Sequence, residues 1–153
     1  MLYPIGIQNF EKIRKDGYVY VDKTDLVYKM AKTGGYYFLS RPRRFGKSLL
    51  ISTLEAYFSG KKELFEGLKI ADLEKDWIQH PVLRFDMSGQ EYKNVTDLSE
   101  TLYQHLKNME NLYDISPRFD SPESRFKDVI DVAYEKTGQR VVILIDEYDK
   151  PIV

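Results

Sequence analysis

The chain has 153 residues, of which 42% are hydrophobic and 31% are charged, and its formal net charge is -1. This composition is typical of a globular protein, either one compact domain or part of a larger one. The near-neutral charge provides no overall basic field for nucleic acid or membrane surfaces, and the absence of cysteine excludes disulfides and thiolate metal sites.

The ends of the chain carry a second set of expectations. Residues 1–4, Met-Leu-Tyr-Pro, lack the basic and long apolar regions of a signal peptide. No apolar run approaches the roughly 20 residues that are needed to span a bilayer. We therefore expect a cytoplasmic protein with no membrane partner. The chain stops at Val153, soon after its strongest predicted strand, and we expect it to be the N-terminal piece of a longer protein.

The first predicted elements are a helix and a strand. Residues 18–21 have an extended pattern, and Asp22 or Thr24 is placed to cap a helix that Gly34 ends. Residues 36–39, Tyr-Tyr-Phe-Leu, form an aromatic and apolar run of strand length.

The middle of the chain predicts a helix and a second strand. After the loop at residues 40–48, apolar residues recur at helical spacing up to Gly60. The next segment is mixed in character, with three packing points: Leu64, Phe65 and Leu68. Residues 81–86 predict a strand.

The last part of the chain predicts two helices and a final strand. Residues 95–113 form a long amphipathic stretch, and a further helix begins at Ser121-Pro122 and ends at Gly138. The continuous apolar run at 141–145 suits a strand buried on both faces. Strands separated by helices predict an α/β fold with a mainly parallel sheet.

The residues Gly46-Lys47-Ser48 match the second half of the P-loop (Walker A) pattern, between a predicted strand and a predicted helix. In this pattern glycine lets the backbone approach phosphate, lysine reaches the β and γ phosphates, and the serine hydroxyl binds magnesium. Arg41 stands where the pattern has its first glycine. The alternative is that Gly-Lys-Ser starts a helix in an ordinary surface loop.

The apolar run at 141–145 leads directly into Asp146-Glu147, as a Walker B motif requires. Asp146 would hold magnesium and Glu147 would orient or deprotonate the attacking water. Taken alone, these two residues are better explained as a solvated acidic turn that caps a core strand. Two such motifs in the expected order, each at the carboxyl end of a strand, predict a nucleotide site.

Other polar residues leave alternatives open. Arg41, Arg43 and Arg44 either contact phosphate or a neighbouring domain, or form a solvated basic loop. Four further residues either contribute to a base or ribose pocket or serve as a helix cap with a packing tyrosine: Tyr20, Asp22, Lys23 and Thr24. Trp77 is expected to be structural.

The longer motifs resemble a known family. They are Tyr-Val-Asp-Lys-Thr at 20–24, Phe-Leu-Ser-Arg-Pro-Arg-Arg-Phe-Gly-Lys-Ser-Leu-Leu at 38–50, and Ile-Asp-Glu-Tyr-Asp-Lys-Pro-Ile at 145–152. This chain resembles the bacterial AAA-ATPase-like family over nearly its whole length. The resemblance implies that arginine is the usual residue at position 41, and that residues 1–153 are the N-terminal part of a P-loop NTPase domain.

The resemblance also implies a fold and partners. The expected fold is a three-layer P-loop NTPase sandwich, incomplete at its C-terminus, and the expected cofactors are ATP and Mg²⁺. Many family members continue into a domain similar to PD-(D/E)XK nucleases, through which nucleic acid is a possible partner. A strand that separates the P-loop strand from the Walker B strand in related proteins is missing here. The resulting open strand edges favour association, so that an oligomer is possible.

The residues expected to act are few. Lys47 and Glu147 are the candidate catalytic residues, and Ser48 and Asp146 are the candidate magnesium ligands. The candidate nucleotide-binding set is Arg43, Arg44, Phe45, Gly46, Lys47, Ser48 and Leu49. The main hypothesis is a magnesium-dependent ATPase module. The alternatives are a nucleotide-binding switch with little turnover that regulates an attached domain, and a nucleic-acid-binding piece that uses the loop arginines.

Overall fold

The computed structural model describes residues 3, 9–33, 47–86 and 95–146. For residues 47, 48, 86, 95, 98 and 146 it describes the backbone alone. The chain divides into two compact units, Met1–Gln79 and His80–Val153. The predicted P-loop strand at 36–39 lies outside the described residues. The expected gap between this strand and the last strand therefore also falls outside them.

The described part of the first unit is helical. Its elements are α1 (Phe10–Lys15), α2 (Thr24–Thr33), α3 (Lys47–Phe58), a 3-10 turn (Lys62–Phe65) and α4 (Lys69–Leu73). The helices predicted after Asp22 and after the P-loop are confirmed as α2 and α3. The sequence did not predict α1 and α4, because helices of 6 and 5 residues are too short to show a helical period. Both are therefore held in place by their neighbours.

An aromatic cluster forms the core of the first unit. Phe10 and Phe65 are fully buried, with their ring centroids 4.8 Å apart. Trp77 packs against Phe65 at 5.2 Å and against Tyr57 at 5.7 Å, which confirms its expected structural role. The predicted packing points Leu64, Phe65 and Leu68 are all buried. The cluster thus joins α1 and α3 to the segment that follows α3, which contributes Phe65 and Trp77.

Gly60 ends α3 in the left-handed conformation, with φ of 73°, and the chain returns close to it. A Cβ atom at this position would lie 3.1 Å from the carbonyl oxygen of Trp77. We expect Gly60→Ala to lower the free energy of unfolding by about 1–2 kcal/mol for the left-handed backbone alone, and by more because of this contact. Urea unfolding followed by the fluorescence of the single tryptophan measures the loss.

Gly67→Ala is the matched control for this change. Gly67 also has a positive φ, 78°, but a Cβ atom there would meet nothing within 4 Å. Its replacement therefore reports the backbone cost without the contact. Equal losses in the two variants would show that the approach of Trp77 does not contribute.

The second unit combines two strands with two helices. They are β1 (Val82–Asp86), α5 (Val95–Leu112), α6 (Pro122–Thr137) and β2 (Val142–Asp146). All four were predicted, with bounds that agree to within about one residue. The ends of α6 follow the expected chemistry, since the Ser121 hydroxyl accepts a hydrogen bond from the Ser124 N–H and Gly138 adopts φ of 69°.

The two strands pair in parallel, with Val82 opposite Val142 and Asp86 opposite Asp146. The chain is therefore an α/β protein with a small parallel sheet. Leu83 and Phe85 of β1 form the core together with residues of α5 and α6: Leu106, Met109 and Val129.

The prediction that the last strand is buried on both faces was wrong for Ile143 and Ile145. Leu144 is buried, but Ile143 is 40% and Ile145 50% exposed. The core residues that α5 and α6 cover include Leu83 and Phe85 of β1, whereas Ile143 lines an open groove beside Ile130 of α6. A strand with a continuous apolar run thus stays partly exposed when the helices pack mainly over the neighbouring strand.

A buried ion pair joins α5 and α6 beside this core. Glu110 is 2% exposed, and both of its carboxylate oxygens accept hydrogen bonds from Arg125. The pair satisfies both partners, as burial of charge requires.

Among the helices that the structure describes, none is long and apolar enough to cross a membrane.

Candidate functional site

The helix after the predicted P-loop begins where the sequence predicts it. α3 starts at Lys47, so the backbones of Lys47, Ser48 and Leu49 form its first turn, in which the N–H groups have no helical partner. Such a turn favours an anion. Four predicted nucleotide-binding residues lie outside the described residues: Arg43, Arg44, Phe45 and Gly46. Arg41 lies outside them as well.

Two hydroxyl side chains brace this first turn. The carbonyl oxygen of Leu49 accepts hydrogen bonds from Ser52 Oγ at 2.9 Å and from Thr53 Oγ1 at 2.7 Å. Ser52 Oγ in turn accepts the backbone N–H of Phe10 at 3.0 Å. The N-terminus of α1 is therefore attached to α3 one turn beyond Ser48. Sequence reasoning missed these residues: the sequence shows two neighbouring hydroxyl residues in a largely apolar helix, but neither their burial nor the contact with Phe10.

A buried carboxylate holds the other end of α3. Glu74 is only 4% exposed, and it accepts hydrogen bonds from the Tyr57 hydroxyl and the Asp76 N–H. Lys32 Nζ of α2 lies 3.3 Å from the same carboxylate. Burial opposes the charge of Glu74, but the hydrogen bonds, with that of Tyr57 foremost, outweigh it and lower its pKa. Burial raises the pKa of Tyr57, which therefore remains a donor.

The segment that was considered for a base or ribose pocket is used for capping and packing. Asp22 Oδ1 accepts the N–H and the hydroxyl of Thr24 at 3.0 and 2.6 Å. Asp22 Oδ2 accepts the N–H of Lys69 at 2.7 Å, and Thr24 Oγ1 accepts that of Ile70 at 3.1 Å. Tyr20 packs edge-on against Phe10. The two polar side chains thus join the start of α2 to the start of α4.

We expect Asp22→Ala to lower the free energy of unfolding by roughly 1.5–3 kcal/mol, since a carboxylate that accepts hydrogen bonds is lost. Burial raises the pKa of Asp22, but the hydrogen bonds from Thr24 and Lys69 lower it below its ordinary value of 3.8. A lowered pKa in the folded state means stability that is present above the unfolded value and lost as the pH falls through the folded one. The difference between wild type and variant should therefore shrink below about pH 4.

Chemical unfolding at several pH values measures this effect. Asp76→Ala is a suitable control, because Asp76 uses its backbone N–H rather than its carboxylate to contact Glu74. Under the capping interpretation, Asp22→Ala that is still folded should have the same affinity for ATP as wild type has. A loss of ATP affinity in fully folded Asp22→Ala would restore the pocket interpretation.

The acidic strand end lies in the second unit. β2 ends at Asp146, which confirms that this residue follows the apolar run at the carboxyl end of a strand. Glu147 lies outside the described residues, as do Asp149 and Lys150. The strand pairing adds one residue that the sequence did not single out, because Asp86, the last residue of β1, is the register partner of Asp146. The sequence shows Asp86 at the end of a predicted strand, but it does not show that Asp86 pairs with Asp146.

The available donors suit a hard cation. Aspartate and serine provide the oxygen ligands that magnesium prefers. Where side chains are described, no group of three metal-ligating residues occurs; the side chains of Ser48, Asp86 and Asp146 fall outside that set. The residue types at the two candidate magnesium positions, Ser48 and Asp146, are thus ones that magnesium accepts as ligands.

Comparison with known proteins places the chain in a family. The family model described as "Predicted AAA-ATPase" matches residues 4–153. A relative from Azotobacter chroococcum mcd 1, named "Uncharacterized protein in vnfD 5'region", is 45% identical over 152 residues, which are 98% of this chain and 29% of that protein. The chain thus spans less than a third of that relative's length. No solved structure matches the chain. With a family model covering nearly all of its residues, the chain belongs to the AAA-ATPase-like family.

Proposed function

We propose that this chain binds ATP together with Mg²⁺ and is the nucleotide-binding part of an ATPase. The observation that carries the proposal is that α3 begins at Lys47, directly after Gly46 in the sequence, in a chain that matches the AAA-ATPase-like family from residue 4 to residue 153. A lysine and a serine in the first turn of a helix after a glycine are what a triphosphate and its magnesium require.

Each residue has a distinct part in this proposal. The loop and first-turn amides of residues 43–49 bind the phosphates, and Lys47 neutralises their charge. Ser48 and Asp146 hold magnesium, which supplies charge neutralisation at the phosphates when it is bound. Glu147 orients the attacking water and accepts its proton. These roles need the P-loop strand and β2 in one parallel sheet, so the proposal includes the three-layer P-loop sandwich.

The supports around α3 are consistent with this use. The Ser52–Phe10 hydrogen bond and the Tyr57–Glu74 hydrogen bond hold the helix at both ends. Phosphate binding by helix amides depends on fixed positions more than on reactive groups. A helix braced in this way keeps its first turn in place when a highly charged ligand binds.

Titration calorimetry with ATP and Mg²⁺ on this chain tests the proposal. Binding at micromolar concentrations with one nucleotide per chain is the expected result. A chain that is folded but binds no ATP would contradict the proposal.

The relative is more than three times as long as the segment that it shares with this chain. Most of that protein lies outside the segment that matches this chain. We therefore extend the proposal to an attached domain, of the nuclease-like type implied by the family resemblance, that hydrolysis would drive or gate. A cytoplasmic location is part of the same proposal.

A further inference from the structure

Two carboxylate residues end neighbouring strands of the sheet at the same level. β1 and β2 are parallel and in register from Val82 and Val142 onwards, and the last pair is Asp86 with Asp146. Adjacent strands lie about 4.8 Å apart, and residues in register belong to the same face of the sheet. The fold therefore puts a second acidic position beside the one that the Walker B motif identifies.

This juxtaposition has an energetic cost without a cation. Like charges directly opposite each other on neighbouring strands are destabilising. The chain nonetheless places aspartate at both positions, immediately after strand residues that are apolar at 85 and 145. A divalent cation between or beside the two positions would turn this repulsion into attraction, because its charge exceeds that of either carboxylate.

The ligand is indicated independently of the carboxylates. The P-loop sequence at the start of α3 and the family match both call for a nucleotide with magnesium. Octahedral magnesium keeps several waters, and carboxylates near the metal commonly hold these waters rather than the ion itself.

We infer that Asp86 is a second acidic residue of the magnesium site and helps to hold the metal that Asp146 binds. This inference rests on the proposed function. Asp86 is accordingly a positioning residue for the metal. Its removal changes the dependence of the protein on magnesium rather than its affinity for the nucleotide alone.

The test compares wild type with Asp86→Asn in metal binding and thermal stability, without relying on turnover. In EDTA, Asp86→Asn should raise the melting temperature by on the order of 2 °C, because a repulsion is removed. With a non-hydrolysable ATP analogue, the Mg²⁺ concentration for half-maximal stabilisation should rise about tenfold or more. The affinity of Asp86→Asn for Mn²⁺ under the same conditions, measured by electron paramagnetic resonance, should fall in parallel.

Two further variants make the result specific. Asp131→Asn removes the same charge from an exposed position on α6 and should change neither the melting temperature in EDTA nor the magnesium dependence. Asp86→Glu keeps the charge and should recover more of the magnesium affinity than Asp86→Asn does, which a purely structural role would not produce. This second variant also keeps the test available if Asp86→Asn does not fold.

The outcomes separate the two proposals. If wild type binds the ATP analogue in a magnesium-dependent manner and Asp86→Asn shows the same magnesium dependence, the inference is wrong and the proposed function stands. If wild type binds no ATP analogue, the proposed function fails and the inference fails with it.

Discussion

Replacing Lys47 by alanine is expected to weaken ATP binding by more than about 100-fold. In a P-loop this ammonium group makes charge-assisted contacts with the β and γ phosphates. Each such contact is worth about 1.5–3 kcal/mol, and about 2.7 kcal/mol corresponds to 100-fold in affinity. Calorimetric titration of both proteins with ATP and Mg²⁺ gives the ratio of their dissociation constants.

The control for this experiment is Lys75→Ala, which removes the same charge from an exposed residue of the same unit. It should bind ATP like wild type. The melting temperature of Lys47→Ala in the absence of nucleotide should also remain close to that of wild type. If Lys47→Ala is folded and binds ATP normally, Gly46-Lys47-Ser48 is not a phosphate-binding loop, and the helix start in an ordinary surface loop is the better explanation.

Replacing Glu147 by glutamine is expected to lower ATP turnover by about 10²–10⁴-fold, the usual contribution of a general base. The amide keeps the shape of the side chain but cannot accept a proton. Affinity for ATP with Mg²⁺ should stay within about threefold of wild type, because the base acts on water in the transition state rather than on the bound nucleotide. Phosphate release and calorimetric binding, measured on the same samples, give the two numbers.

This second variant separates an ATPase from a nucleotide-binding switch. Glu135→Gln, an exposed glutamate on α6, is the matched control and should leave turnover unchanged. Equal turnover in wild type and Glu147→Gln would exclude Glu147 as the base. A wild type that binds ATP tightly but shows little turnover would favour the switch that regulates an attached domain.

The predictions from local pattern succeeded where the signal lies within one element. The N-cap at Ser121, the proline after it and the left-handed Gly138 define α6 without any information from the rest of the chain. The apolar period of α3 and the glycine at its end are local in the same sense. A helix end or a strand end is set mainly by its own residues, because caps and breakers act within one turn.

The short helices and the polar contacts around α3 were beyond such reasoning. Ser52 meets Phe10 across 42 residues of sequence, and Asp22 meets Lys69 across 47. No spacing rule links positions so far apart. The choice between a ribose pocket and a helix cap at Asp22 therefore needed the contacts themselves.

The sequence by itself determined the order and type of the longer described elements, the start of a helix at Lys47-Ser48, and the position of Asp146 at the end of a strand. Only the tertiary structure decided that Asp86 stands beside Asp146 and that Ile143 and Ile145 remain half-exposed. The physical reason is that register and coverage depend on the neighbouring strand and on the helices that pack over it. Those partners come from distant parts of the chain, so the residues of one strand do not specify them.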